Sequence, residues 1–383
     1  MEKELNKKTP LRIGIDGRVL QDLQPSGIPN YAKNIIAEIL KIDNFNQYII
    51  FYNSFREIEK EIPKFDGRVE EKIFHYPNKF LEWFWKVIPY PKIDRVLKLD
   101  IFFSPHFINI PLSEKVKKII TIHDLSFIKN KKYFSLKKNL WHWQMNPRKA
   151  SQNFDKIIAV SESTKNDIID FYQIKNEKIK VIYNGSKKII DLVEPEKEKK
   201  FLLDHKIEMK KYILFLATLE PRKNIEGILD AFAKISSANP DYKLVIAGKK
   251  GWLFKNIFKK VLLYQLGEKI VFTDFIDEEQ KHILFKNASA FIFPSFCEGF
   301  GIPLTEAINY KLPIITSSAS SMPEIVKDLA ILVNPHNIED LAISISHILR
   351  NQNLRNVLKS KNPEGFPFDW KNSASQTLEF LLS

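Results

Sequence analysis

The chain has 383 residues, 44% of them hydrophobic, and its 59 Lys and Arg outnumber 46 Asp and Glu to give a net charge of +13. Single hydrophobic cores rarely grow past about 250–300 residues, so this length implies two domains. No apolar run approaches the roughly 18 residues of a membrane-spanning helix, residues 1–8 hold no leader-like apolar stretch, and one cysteine, Cys297, cannot close an internal disulfide. A cytoplasmic, reducing setting is therefore expected.

The basic excess points to an anionic partner. No helix-turn-helix, zinc-finger or RNP-type pattern is present, so nucleic acid is not expected. An anionic membrane surface is the other candidate. Lys79-Phe-Leu-Glu-Trp-Phe-Trp-Lys-Val-Ile-Pro-Tyr90 interleaves Trp83, Phe84 and Trp85 with charges. Interfacial segments mix residues in this way, and the stretch reads either as peripheral contact with the inner face of the plasma membrane or as aromatic core.

In chain order, Arg12-Ile-Gly-Ile-Asp16 reads as a short strand. Gly17 and a loop containing Pro25-Ser-Gly-Ile-Pro29 follow, then an amphipathic helix from about Asn30 to Leu40. Tyr48–Tyr52, Asp100–Ser104, Lys118–Ile122 and Lys156–Val160 are further apolar runs with helical patterns between several of them. Such near-continuous runs indicate a parallel sheet covered on both faces. Ser161 is placed to cap a helix. Lys180-Val-Ile182 then leads into the turn signal Tyr183-Asn-Gly185.

Residues 191–200 are highly charged and include a proline, which marks a linker or exposed entry segment. A second series begins at Tyr212–Ala217 and continues with Lys243–Ala247, Lys269–Phe272, Ala290–Phe293, Leu312–Thr316 and Ala330–Val333. The expected fold class is α/β, with two Rossmann-like, doubly wound parallel-sheet domains facing a central cleft. Residues 1–190 form the first domain and residues 201–365 the second. Residues 366–383 form a terminal helix able to return to the first domain. Clefts of this kind are favoured ligand sites.

The stretch Phe293-Pro-Ser-Phe-Cys-Glu-Gly-Phe-Gly-Ile-Pro-Leu-Thr-Glu306 reads as strand, glycine loop and helix. Pro303 suits a helix start, because its fixed φ fits and its missing N–H is no loss there. Ligands of open α/β sheets bind at this edge. The amides around Phe300, Gly301 and Ile302 would point at an anion such as a diphosphate. Glu298 and Glu306 are better suited to accept hydrogen bonds from paired hydroxyls and to stay clear of phosphate. The arrangement suggests a nucleotide-sugar site. Upstream, Thr218-Leu-Glu-Pro-Arg-Lys-Asn224 puts Arg222 and Lys223 at a strand end beside a helix start near Asn224, where a planar fork and a point charge suit a diphosphate.

The motif Glu-Gly-Phe-Gly-x-Pro-x-x-Glu resembles the Glu-x7-Glu signature of the family 4 glycosyltransferases, which have the GT-B fold. Thr121-Ile-His-Asp-Leu-Ser-Phe127, Val160-Ser-Glu-Ser-Thr164, Gly248-Lys-Lys-Gly-Trp252 and Ser320-Ser-Met-Pro-Glu324 are similar to further landmarks of that family in the same order. The resemblance implies that Lys223 is the phosphate lysine and that His123 reaches the donor sugar. It also implies that Gly27, in Ser26-Gly-Ile28, belongs to a loop approaching the donor phosphates, where glycine lets backbone come close. The chain departs from the pattern at Ala217-Thr218, where relatives carry a Gly-Arg pair, and at Gly27-Ile-Pro-Asn-Tyr31, which lacks a cation. Arg222 is positioned to supply the charge missing at the first of these.

A retaining hexosyltransferase in cell-surface polysaccharide synthesis follows from the resemblance, with a glycan or lipid-linked glycan as acceptor. Landmarks shared with mannose-transferring members favour GDP-mannose as donor, a UDP-sugar being second. The expected catalytic residues are His123, Lys223, Arg222 and Glu298, and the donor-binding ones Gly27, Phe300, Gly301, Ile302 and Glu306. No cofactor and no metal are expected, since no Asp-x-Asp occurs in the chain. A sugar-nucleotide epimerase or phosphorylase of the same fold and a non-catalytic binding module are the rivals.

Overall fold

The computed structural model describes residues 9–21, 27–54, 63–65, 69–76, 85, 88–107, 110–186 (141–144 as backbone only), 193–361 and 368–383. These fall into two compact units. One comprises Met1–His123, Trp141–Gly185 and Asp369–Ser383, the other Asp124–Leu140 and Ser186–Phe368.

The first unit is built on seven parallel strands: β1 (Arg12–Asp16), β2 (Gln47–Asn53), β3 (Val69–Phe74), β4 (Ile101–Ser104), β5 (Lys117–Ile122), β6 (Lys156–Ala159) and β7 (Ile179–Val181). Their order is β3-β2-β1-β4-β5-β6-β7. Consecutive strands on each side of β1 wind outward, the doubly wound pattern whose ligand crevice lies where the order reverses. β4 is buried throughout, and β1 and β6 are buried apart from their first residues, as the apolar runs require. β3 has no such run. Val69-Glu-Glu-Lys-Ile-Phe74 is largely exposed at the sheet edge, where charges discourage pairing with other chains. Sequence periodicity alone therefore misses it.

The helix Gly27–Ile42 buries Tyr31, Ala32, Ile35, Ile36 and Ile39 on one stripe against the sheet. The terminal helix Trp370–Leu382 belongs to this unit and packs on the same helix. Its Ser373 hydroxyl donates to the Tyr183 carbonyl at 2.6 Å. At Gly185 a Cβ would lie 2.3 Å from the Trp370 backbone nitrogen, so only glycine permits this approach.

Trp85 corrects the expected membrane face. Its ring is 5% exposed and lies in a core with Ile49, Phe51, Ile93, Leu97 and Phe102. The Arg18 guanidinium sits 5.4 Å from its ring centre and 5.0 Å from that of Phe51, fixed there by the buried Asp16 carboxylate at 2.6 Å. Apolar surface and a cation–π partner inside the unit outweigh any gain at an interface. Trp83 and Phe84 lie outside the described residues. Among the described residues, no helix is long and apolar enough to cross a membrane.

The second unit carries β8 (Tyr212–Leu216), β9 (Lys243–Ala247), β10 (Ile270–Asp274), β11 (Ala290–Phe293), β12 (Ile314–Ser317) and β13 (Ala330–Val333). They run parallel in the order β10-β9-β8-β11-β12-β13. This is the Rossmann arrangement, and its reversal falls between β8 and β11. The boundaries differ from the expected ones in two places. Pro195–Lys200, expected in a linker, forms the start of the helix Pro195–Asp204, because Phe201 and Leu202 bury an apolar edge. Residues 124–140, expected in the first domain, cluster with the second unit. Tyr133 stacks on Phe296 at 4.8 Å, Phe134 on Trp252 at 5.7 Å, and the Trp252 Nε1–H donates to the Tyr133 carbonyl.

Replacing Trp85 by alanine should cost about 3–5 kcal/mol of stability, as for other large aromatic truncations in cores. Urea unfolding checks this. Unchanged stability with weakened binding to anionic vesicles would instead put the ring on the surface.

Candidate functional site

Because the order of the second sheet reverses between β8 and β11, the loops leaving the carboxyl ends of these two strands are neighbours. The first is Ala217–Asn224 and the second Pro294–Gly301. Backbone ties lock them together: the Phe296 amide donates to the Arg222 carbonyl at 2.9 Å. Asn224 adopts a left-handed backbone just before the helix Ile225–Ser236. Its side chain does not cap that helix but donates to the carbonyls of Pro294 (3.1 Å) and Pro335 (2.8 Å).

The result is a buried group of charges. The Lys223 ammonium lies 2.5 Å from Glu298 Oε1, and Arg222 Nη1 lies 2.9 Å from Glu298 Oε2. Arg222 Nη1 also donates to the Cys297 carbonyl at 3.0 Å, and Nε lies 2.5 Å from Glu220 Oε1. Glu220 is 4% exposed, Glu298 6% and Lys223 7%. Two cations thus face two carboxylates with little water between them. No described bond engages Arg222 Nη2.

Burial opposes each of these charges, and the neighbours decide the outcome. For Glu298, burial is outweighed by Arg222 and Lys223, and the carboxyl is held down at about 2. For Arg222, burial is outweighed by Glu298, Glu220 and Asp124, and its pKa is raised. For Lys223, burial and then Arg222 win over Glu298, so its pKa is lowered. The Cys297 thiol is pushed up to about 11, chiefly by burial, which makes it a poor nucleophile.

One partnership lies beyond the sequence reading: Glu298 binds both cations assigned to a diphosphate. Two buried cations need a counter-charge, and the glycine loop brings Glu298 within reach. The loop itself is held from the β12 side. The Ser320 hydroxyl donates to the Glu298 carbonyl at 2.6 Å, and the Ser321 hydroxyl reaches the Glu298 carbonyl at 3.0 Å and the Phe300 carbonyl at 3.2 Å. Gly301 has φ +93°, a conformation that side chains other than hydrogen rarely adopt, and it opens the helix Ile302–Asn309. Pro303 stands within the first two helical positions. The Gly301 and Ile302 amides therefore sit at the positive end of that helix. The Phe300 ring is core, packed edge-on against Phe368 at 5.3 Å. Glu306, one turn into the helix, pairs with Lys281 at 2.6 Å.

His123 and Gly27 belong to the first unit. His123 follows β5, and its Nε2 lies 2.8 Å from the Pro105 carbonyl oxygen. A carbonyl only accepts, so Nε2 carries the hydrogen. Tyr31 packs edge-on against the imidazole at 4.7 Å. In the second unit, Asp124 accepts from the Ser126 amide and hydroxyl at 3.0 and 2.6 Å and so shapes its own turn. Gly27 is exposed and opens the helix Gly27–Ile42, with nothing within 4 Å of where a Cβ would stand. No crowding among the described residues requires a glycine there. Sequence reasoning missed Glu220, which lies inside the very motif that singled out Arg222 and Lys223, and Lys281, which no local pattern marks.

Two family models match in tandem. The one described as Glycosyltransferase Family 4 matches residues 25–186, and the one described as Glycosyl transferases group 1 matches residues 196–364. The chain is similar to the O-antigen chain mannosyltransferase B of Escherichia coli, at 24% identity over 72% of this chain and 71% of that one. It is also similar to the serotype-specific mannosyltransferase WbdA of Escherichia coli, at 26% identity over 69% of this chain but 33% of that longer protein. Among solved structures, Anabaena Alr3699/HepE in complex with UDP and glucose matches with a TM-score of 0.71 and 18% identity, over 97% of this chain and 99% of that one.

The Glu298 carboxyl, near 4.5 in its ordinary state, sits at about 2 here. A carboxylate with a depressed folded pKa contributes its full stability above the unfolded value and loses it as pH falls through the folded one. Glu298→Gln should lower stability at pH 7, by about 3–5 kcal/mol if it behaves as other buried pairs that lose one partner. It should also flatten the fall in stability between pH 4.5 and 2. Urea unfolding across that range checks both; an acid dependence as steep as the parent's would place the depressed carboxyl elsewhere.

Proposed function

We propose that this chain, which belongs to the family 4 glycosyltransferases and has their GT-B fold, transfers a hexose from a nucleotide-sugar donor, with retention of anomeric configuration and without a metal ion. The observation that carries the reading is the buried grouping of Arg222, Lys223, Glu220 and Glu298 at the switch point of the second sheet, beside the start of the helix Ile302–Asn309. Fixed cations and helix-start amides at a ligand crevice are what a departing diphosphate requires.

In this reaction the acceptor hydroxyl oxygen bonds to the anomeric carbon as the bond from that carbon to the phosphate oxygen breaks. The hydroxyl proton passes to the leaving phosphate oxygen, on the same face of the sugar. Negative charge grows on the diphosphate. Arg222 Nη2 and the remaining N–H groups of Lys223 are the donors available to meet it. Because these groups are held in place before the reaction, they stabilise that charge without reorganising. Glu298 then has two tasks: it keeps the two cations in register, and it presents its carboxylate edge to sugar hydroxyls. Glu306 faces the nucleotide ribose. His123 and Gly27 keep the roles that the family resemblance implies, toward the donor sugar and the donor phosphates.

Mannose is the favoured hexose and GDP-mannose the favoured donor, supported by relatives that are named as mannosyltransferases; a UDP-sugar is the second choice, supported by the UDP-bound neighbour. The acceptor is a glycan or lipid-linked glycan of a cell-surface polysaccharide. A thermal-shift panel of GDP-, UDP-, ADP- and dTDP-sugars identifies the donor, because a ligand that binds only the native state raises its apparent stability. Turnover of donor in the absence of any acceptor, giving an epimerised nucleotide sugar, would favour the epimerase reading.

Lys223→Ala should reduce turnover about a hundredfold, on the order of 3 kcal/mol in the barrier. Steady-state kinetics on the selected donor measures this, and unchanged kcat and donor affinity would remove Lys223 from the mechanism. Activity should survive EDTA. Complete loss in chelator, restored by magnesium or manganese, would contradict stabilisation by protein cations alone.

A further inference from the structure

Glu306 is held by a partner that no motif supplies. The Lys281 ammonium lies 2.6 Å from Glu306 Oε1 and 3.1 Å from Glu278 Oε2. Side-chain exposure is 11% at Glu306 and 19% at Lys281, against 61% at Glu278. The inner pair is thus largely desolvated and the outer carboxylate is not. Burial works against the Lys281 charge, but Glu306, ahead of Glu278, outweighs it and raises its pKa, so the lysine stays protonated at neutral pH.

Packing fixes the distance between the two helices involved. Lys281 is on the helix Glu278–Asn287 and Glu306 on the helix Ile302–Asn309. Tyr310, just past the second helix, stacks on Phe285 with ring centres 5.2 Å apart and planes within 8°. Its hydroxyl lies 2.8 Å from His282 Nδ1. Lys281 is therefore flanked on its own helix by residues that grip the end of the Glu306 helix. An ionised carboxylate has two acceptor oxygens. Lys281 occupies Oε1, and no described bond engages Oε2.

We infer that Lys281 is a positioning residue: by holding Glu306 Oε1 it fixes the carboxylate and turns Oε2 toward the ligand, so that the site selects nucleotides with ribose hydroxyls over those without. This rests on the reading above in which Glu306 faces the nucleotide ribose. The recognised class is a ribonucleoside diphosphate. The hydrogen bond it gives to Oε2 is charge-assisted and is worth more than one to a neutral acceptor.

The test is calorimetry of GDP and UDP, each beside its 2′,3′-dideoxy counterpart, against the parent, Lys281→Met, Lys281→Arg and Glu306→Gln. The parent should bind the ribonucleotide more tightly than the dideoxy form. Lys281→Met should reduce that preference about tenfold by weakening the ribonucleotide alone. The unchanged dideoxy affinity shows that the variant site is intact. Lys281→Arg should restore most of the preference. If Glu306→Gln abolishes the preference and Lys281→Met leaves it at the parent value, Lys281 has no positioning role and the inference is overturned. If Glu306→Gln also leaves it unchanged, the ribose reading of Glu306 fails and takes the inference with it.

Discussion

The ion pairs of Glu298 with Arg222 and Lys223 are the constraint on which the site depends. Desolvating one charge is expensive, and desolvating two like charges side by side is more so. The protein meets this cost with carboxylates from two loops, Glu220 from the same loop as the cations and Glu298 from the loop after β11. Within the local chain Glu220 pairs with Arg222, but bringing Glu298 to both cations takes the tertiary fold. Strand order does it, by making the exits of β8 and β11 neighbours, and the Asn224 amide and the Ser320 and Ser321 hydroxyls then fix the two loops.

Such a grouping is also a device for chemistry. A site that must stabilise charge as it develops benefits from cations that are already in place and need not move. The two cations here are not equivalent. Arg222 donates Nη1 to protein acceptors, sets Nε in an ion pair with Glu220 and retains Nη2, whereas Lys223 is pulled toward neutrality by burial and by Arg222. An arriving diphosphate would restore the balance of charge in favour of protonated Lys223. The same economy recurs at Glu306, whose carboxylate is half committed to Lys281. In both places, on the proposed reading, a protein ion pair orients the group that would meet the ligand.

Much of the fold is legible in the sequence for a simple reason. Strands buried on both faces must be apolar throughout, so β1, β2, β4 to β6, β8, β9, β11 and β12 stand out as short apolar runs between polar segments. β3 does not, because an edge strand with Val69-Glu-Glu-Lys72 is not under that constraint. Trp85 shows the opposite failure. Aromatic residues among lysines look the same at an interface and in a core, and only the packing of Phe51 and Arg18 against the ring separates the two. The chain also carries residues 124–140 into the second unit, which stacking by Tyr133 and Phe134 explains and no linker composition announces. At the site, the Glu-x7-Glu spacing and the Arg-Lys pair were readable because backbone geometry around glycine and proline leaves a local signature. The partnership of Glu298 with those cations, and of Glu306 with Lys281, was not. Both join residues far apart in sequence through tertiary packing.

A charge grouping that serves as a diphosphate site must distinguish a nucleoside diphosphate from its nucleoside. Calorimetry of GDP against guanosine, and of UDP against uridine, with the parent chain and with Lys223→Ala tests this most directly. The account predicts that the parent binds one diphosphate far more tightly than its nucleoside, and that most of this difference disappears when Lys223 is removed. Equal affinity of the parent for nucleotide and nucleoside, or a preference that Lys223→Ala leaves intact, would contradict it.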